Sequence, residues 1–186
     1  MHRRYLLSAL AAATLGGAAW AALPDPQPVF AVSAEQLQRV VAQRFPRRYP
    51  VQKLFDLQVQ APRLTLLPDQ NRLRAEMTVQ AAGPAFNRSH TGFFNVDFAL
   101  RYEASDRTVR AHQLRFDKLS FPDLQPAAAE LLAVYGPALA EQSLREVVLH
   151  QLRPQDLALA DGLGMQPGAI TVTPDGLVIG FVRAAP

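Results

Sequence analysis

Ser89 and His90 are the nearest this sequence comes to a nucleophile beside a base. Neighbours on an extended segment point to opposite sides, whereas a nucleophile and its base must lie within hydrogen-bond reach. Beyond residue 21 the other histidines are His112 and His150, and the other serines are Ser33, Ser105, Ser120 and Ser143. None of them sits in a Gly-x-Ser-x-Gly elbow, and the chain has no His-Glu-x-x-His, phosphate-loop or dinucleotide fingerprint. Asp117, Asp123, Asp156 and Asp161 are scattered without metal-ligand spacing. Cysteine is absent, which removes thiol catalysis and zinc-thiolate sites. The expectation is a non-enzymatic protein with no catalytic residues, no metal and no cofactor.

The residue types in surplus are apolar. Phe94, Val96 and Phe98 form one face of an alternating segment that continues to Leu100 and Tyr102. Leu132, Tyr135 and Leu139 recur at helical spacing along 126–152. These six are the candidate lining of an apolar interior. The same surplus also suits an ordinary filled core, which any domain of this size needs. The one dense basic cluster comprises Arg44, Arg47, Arg48 and Lys53, interleaved with Phe45 and Tyr49. It reads either as a solvated helix end or as a contact for anionic headgroups at a membrane surface. Arg47, Arg48 and Tyr49 are its candidate rim residues.

The N-terminus bounds where such chemistry would operate. Arg3 and Arg4 precede an apolar run from Tyr5 to Ala19, followed by Ala19-Trp20-Ala21. A positive n-region, a short apolar h-region and an A-x-A site make a secretory signal peptide over residues 1–21, cleaved after Ala21. The run is shorter than the ~20 residues of a membrane span. The expected destination is the periplasm, without lipidation because there is no cysteine to modify. Removing Arg3 and Arg4 lowers the formal net charge from +3 to +1, so the pI near 9.7 reflects arginine content more than a nucleic-acid-binding field. No nucleic-acid partner is expected.

The elements that must position these residues are legible from periodicity. Leu23 to Pro28 carries three prolines, which makes residues 22–32 an extended lead-in. Ser33 and Gln36 form a capping box that opens an amphipathic helix with Leu37, Val40, Val41 and Phe45 on one face. Alternation then predicts strands around Leu64–Leu66, Leu73–Ala81, Phe94–Tyr102 and from about Thr108 to Phe121, joined as an antiparallel meander. The apolar phase slips near Pro62 and again near His112-Gln113, and each slip predicts a bulge or break. Residues 126–152, rich in Ala, Leu, Glu and Gln, read as a long helix with two apolar sides, kinked at Gly136-Pro137 or enclosed by the sheet. A terminal hairpin turns at Pro174-Asp175-Gly176.

From Ser33 onward the chain resembles the YceB-like family of bacterial envelope lipoproteins. The resemblance rests on Ser33 to Leu37, on Leu131-Leu132 through Pro137 and Leu139, and on Gly168, Ile170, Val172, Pro174, Gly176, Ile179 and Phe181. That family resembles tubular lipid-binding (TULIP-like) domains. The resemblance implies an α+β fold: a curved antiparallel sheet rolled around a long C-terminal helix, with an additional N-terminal amphipathic helix, in one domain spanning 33–186. It implies a binder of lipid-like apolar ligands, either fatty acid or phospholipid. The alternative is a structural or adaptor protein that binds another envelope protein around a filled core. Typical members end their signal in a cysteine lipobox, which Ala19-Trp20-Ala21 replaces here, so the expected protein is free rather than tethered.

Overall fold

A computed structural model describes residues 28–51, 55–84, 86, 88–144 and 147–184. The signal peptide expected over 1–21, the first part of the lead-in and Lys53 lie outside the described residues. The chain is mostly antiparallel sheet. Val29–Ser33 forms β1, so the end of the expected lead-in is a strand, paired with the terminal hairpin. Helix α1 spans Ala34–Ala42 and opens on the expected box: the Gln36 amide donates to Ser33 Oγ, and Ser33 N donates to Gln36 Oε1. Leu37 and Val41 form its buried stripe.

Arg47–Val51 (β2) and Phe55–Val59 (β3) form a hairpin. Arg47 and Arg48 thus sit on a strand, not at a helix end. Next come β4 (Arg63–Leu67) and β5 (Arg72–Ala82), joined through a short 3-10 turn. β3 and β4 pair in succession along β5, with Val59 opposite Val79 and Arg63 opposite Glu76. Three residues, Gln60 to Pro62, therefore face two on β5. That extra residue is the expected break, and it carries Leu64 and Leu66 round to the face of Leu57 and Val59.

β6 (His90–Glu103) and β7 (Thr108–Phe116) continue the meander. Their register shifts between Asp97 and Ala99, opposite Gln113, which takes a left-handed φ of 51°. The second phase slip is thus a bulge. It leaves Val109 and Ala111 buried while Leu114 and Phe116 are only half-buried. Arg72, 5% exposed, reaches this point and donates to the carbonyls of Asp97 and Gln113. Burial, reinforced by neighbouring Arg115, lowers its pKa from the ordinary arginine value, against the pull of Asp97. β7 ends at Phe116 rather than Phe121, and Ser120 adds only an isolated bridge to Phe93.

The long C-terminal helix is not present. Residues 126–152 instead form α2 (Pro126–Ala133), α3 (Gly136–Leu144) and strand β8 (Val148–Gln151), which pairs with β7. Two physical causes separate them. Pro137 has no amide hydrogen to continue a helix, and α2 ends just before it. After Leu144, the β-branched pair Val147-Val148 favours extended backbone. The sheet is curled, but no long helix fills it. Helix α4 (Pro154–Gly162) leads into β9 (Met165–Thr173) and β10 (Gly176–Arg183).

The strands form two sheets, β1-β10-β9 and β2-β3-β5-β6-β7-β8, with β4 on the flank of β5. Side-chain amides join them where backbone would otherwise be unpaired. Gln38 of α1 accepts from Leu64 N and donates to Pro62 O, covering the outer edge of β4. Asn71 does the same for β9, accepting from Val172 N at 2.7 Å and donating to Ile170 O at 3.1 Å. Such covering is a common protection of sheet edges.

Candidate functional site

The six apolar candidates divide in the structure. Phe94, Val96 and Phe98 alternate inward on β6, opposite Met77, Ala75 and Leu73 of β5. Their exposures are 3%, 0% and 0%, and Phe94 packs against Phe116 with ring centroids 5.4 Å apart. Leu132 of α2 is equally buried. These four belong to a packed hydrophobic cluster that both sheets share. Leu139 belongs to it as well, but with Tyr135 it also forms the wall of an open groove.

That groove runs between the edge strand β2 and helix α3. Tyr49, Pro50 and Val51 supply one side and Leu57 the floor, while Tyr135, Ala138, Leu139 and Gln142 supply the other side. Its volume is about 260 Å³. The spacing from Tyr135 through Ala138 and Leu139 to Gln142 is one helical face, two turns long. At 1.5 Å per residue, seven steps make a trough of about 10 Å.

Its two ends differ. At the far end, Tyr135 lies edge-on to Phe55 at 5.9 Å, and Phe55 pairs with Val51 across the β2–β3 hairpin. At the near end, the Tyr49 hydroxyl and Ser143 Oγ share a hydrogen bond of 3.0 Å, and Ser143 is fully buried. Arg47 Nη1 donates to the Gln142 carbonyl at 3.2 Å. An unpaired hydroxyl inside a core would be costly, so the Tyr49–Ser143 contact both satisfies Ser143 and ties β2 to α3.

The basic rim divides too. Side chains alternate along a strand, and Arg47, Tyr49 and Val51 share the face towards α3. Arg48 is exposed and lies on the opposite face. The structure therefore brings together Arg47, Tyr49, Tyr135 and Leu139, and leaves Arg48, Phe94, Val96, Phe98 and Leu132 outside the groove. Pro50, Val51, Leu57, Gln142 and Ser143 carry no signal as site residues in the sequence. Tyr49 and Ser143 are 94 residues apart, and no local pattern encodes such a pairing.

A larger depression of about 590 Å³ lies where β1, β10 and the start of α1 meet. Ala31, Leu177 and Val178 share its wall with Arg39 and Asp175. Its Gln36 and Ser33 side chains each accept from the other residue's backbone amide in the capping box. It contains none of the nine candidate lining and rim residues, and the charged Arg39 and Asp175 interrupt its wall.

The three described histidines lie apart from the groove lining. His112 Nε2 contacts the Leu100 carbonyl at 3.1 Å, His90 packs on Phe86 and His150 on Phe30. Burial lowers the pKa of His150, partly offset by Asp156. On the outer face of the sheet Arg74 holds Asp97 through two hydrogen bonds of 2.6 and 2.8 Å, which lower the carboxyl pKa. Among the described residues no group of three or more His, Asp or Glu side chains is placed to hold a metal.

Comparison with family models finds no match, and comparison with curated proteins finds none. Neither supports the YceB-like resemblance. Among solved structures the chain is similar to one described as the crystal structure of lipopolysaccharide binding protein. The TM-score is 0.37 at 10% identity, over 85% of this chain and 41% of that one. The chain thus spans about two fifths of the length of that protein.

Proposed function

We propose that the chain, exported to the periplasm and cleaved after Ala21, is a non-enzymatic binder of lipid-like apolar ligands, which it holds in the groove between β2 and α3. The observation that carries this reading is the groove itself: an apolar trough along a sheet edge that is poorly suited to another strand. Pro50, mid-way along β2, lacks the amide hydrogen that a pairing strand would need. An acyl chain needs no backbone partner. At about 0.8 kcal/mol per CH₂, an eight-carbon segment would gain roughly 6 kcal/mol before ordering costs. That points to dissociation constants no tighter than about 40 µM. The volume lies just under the ~300–1,000 Å³ of usual small-molecule sites, consistent with a ligand that is only partly enclosed.

One observation favours a second reading. The interior around Phe94, Val96 and Phe98 is filled, as in an adaptor whose apolar residues only stabilise it. The two readings separate in one experiment. Protein that has been delipidated and refolded is titrated with a fluorescent fatty acid, beside Ala138→Trp. Ala138 is an exposed wall residue, so tryptophan there fills the trough without disturbing the core. Saturable binding by the wild type, weakened at least tenfold in Ala138→Trp at an unchanged melting temperature, is expected. No saturable binding by the wild type, or equal binding by the variant, leaves the adaptor reading standing.

A further inference from the structure

The groove has a polar end and an apolar end, and among the described residues the cation Arg47 stands beside the polar end, tied to the lining residue Gln142. Arg47 stands there because it shares the Tyr49 face of β2, and its Nη1 is anchored on the Gln142 carbonyl. One contact on one nitrogen leaves the rest of the planar guanidinium fork available, a shape that matches a planar two-oxygen acceptor. Arg48 is turned to the opposite face. Glu141, the acidic residue of α3, lines a different depression with Arg101 and His112, and the groove lining itself includes no carboxylate. Behind Arg47, Tyr49 and Ser143 close the trough by their mutual hydrogen bond. From there the wall runs through Leu139 and Leu57 to Val51 and Tyr135 without another charge. A volume of about 260 Å³ over one helical face leaves room for one chain, not two side by side.

We propose that this site takes a single-chain carboxylate lipid, a free fatty acid, lying along β2 in the strand's own direction and antiparallel to α3. Its carboxylate meets Arg47 beside Gln142, and its tail runs towards Tyr135. This rests on the groove being the ligand site, and it adds the ligand class, the orientation and the residue that reads the head.

The test is competition against a fluorescent fatty acid bound to the full mature protein. The competitors are octanoate, methyl octanoate and dioctanoyl phosphatidylglycerol, each below its aggregation threshold. Octanoate is expected to displace the probe at concentrations at least tenfold lower than either of the others. Arg47→Met keeps the aliphatic stem and is expected to abolish the preference for acid over ester, whereas Arg48→Met preserves it. If the probe binds saturably but acid and ester compete equally, the carboxylate assignment is overturned while the groove reading stands. Equal competition by the two-chain lipid overturns the single-chain assignment. A wild-type protein that binds no probe overturns both this proposal and the groove reading. The acid–ester comparison is made on wild-type protein, so it decides the matter even if Arg47→Met fails to fold.

Discussion

Phe98→Ala is expected to remove about 3–5 kcal/mol of stability, the usual loss when a fully buried aromatic side chain leaves a cavity. The affinity of the folded molecules for a fatty acid should stay within about twofold of wild type. Phe98 is 0% exposed and sits opposite Leu73 in the centre of the β5–β6 pair, with no part in the groove wall. Denaturant unfolding would measure the first quantity, and titration under conditions where the variant remains folded the second. A tenfold loss of affinity in folded protein would return Phe98 to the ligand site and contradict the division between core and groove. Ala75→Trp would not separate the two roles. Ala75 is fully buried between Leu64 and Val96, so enlarging it overpacks the core.

Gly176→Val should be as damaging for a backbone reason. Gly176 opens β10 at φ +154°, and a side chain there would run into the Val32 carbonyl oxygen, with Ser33 Cα at 2.9 Å and Ala34 N at 3.0 Å. These atoms are backbone and cannot swing away. The site is where three elements meet, because Ala34 N at the start of α1 donates to Asp175 O in the β9–β10 turn. Strain of roughly 1–3 kcal/mol for the unfavourable φ adds to the cost of separating β1 from β10. A total loss of about 4 kcal/mol or more is expected, at the rare end for a single substitution. Chemical denaturation that shows less than about 1 kcal/mol would contradict the close packing of β1 on the hairpin.

Features encoded by near neighbours are legible in the sequence. The capping box at Ser33 and Gln36, the strands through β5 and β6, and the terminal hairpin all follow from short-range pattern. So do the break at Gln60 to Pro62 and the bulge at Gln113, because a one-residue shift of apolar phase has few structural solutions. The expected long helix gives way to three elements for a physical reason. Residues 126–152 are rich in good helix formers, and past Gly136-Pro137 the apolar set moves to Leu144, Val147 and Val148 on the opposite side. That change marked a new element, β8, rather than a second face of the same helix. Helix propensity was outweighed by pairing with Thr108–Arg110, which no window on the sequence contains. The groove was only half visible. Tyr49, Tyr135 and Leu139 stood out by size, but their meeting depends on β2 and α3 becoming neighbours across nearly a hundred residues. Arg47 and Arg48 look equivalent in sequence, and strand alternation distinguishes them only once β2 is known to be a strand.

The central claim is the place of the ligand, and photo-crosslinking tests it most directly. A fatty acid with a diazirine on its tail is irradiated in complex with the refolded protein, and the adducts are mapped by tandem mass spectrometry. The groove predicts adducts on Val51, Tyr135, Ala138 and Leu139, suppressed by excess unlabelled fatty acid. Saturable adducts confined to the interior residues of β6, or to the depression between β1 and α1, would contradict it.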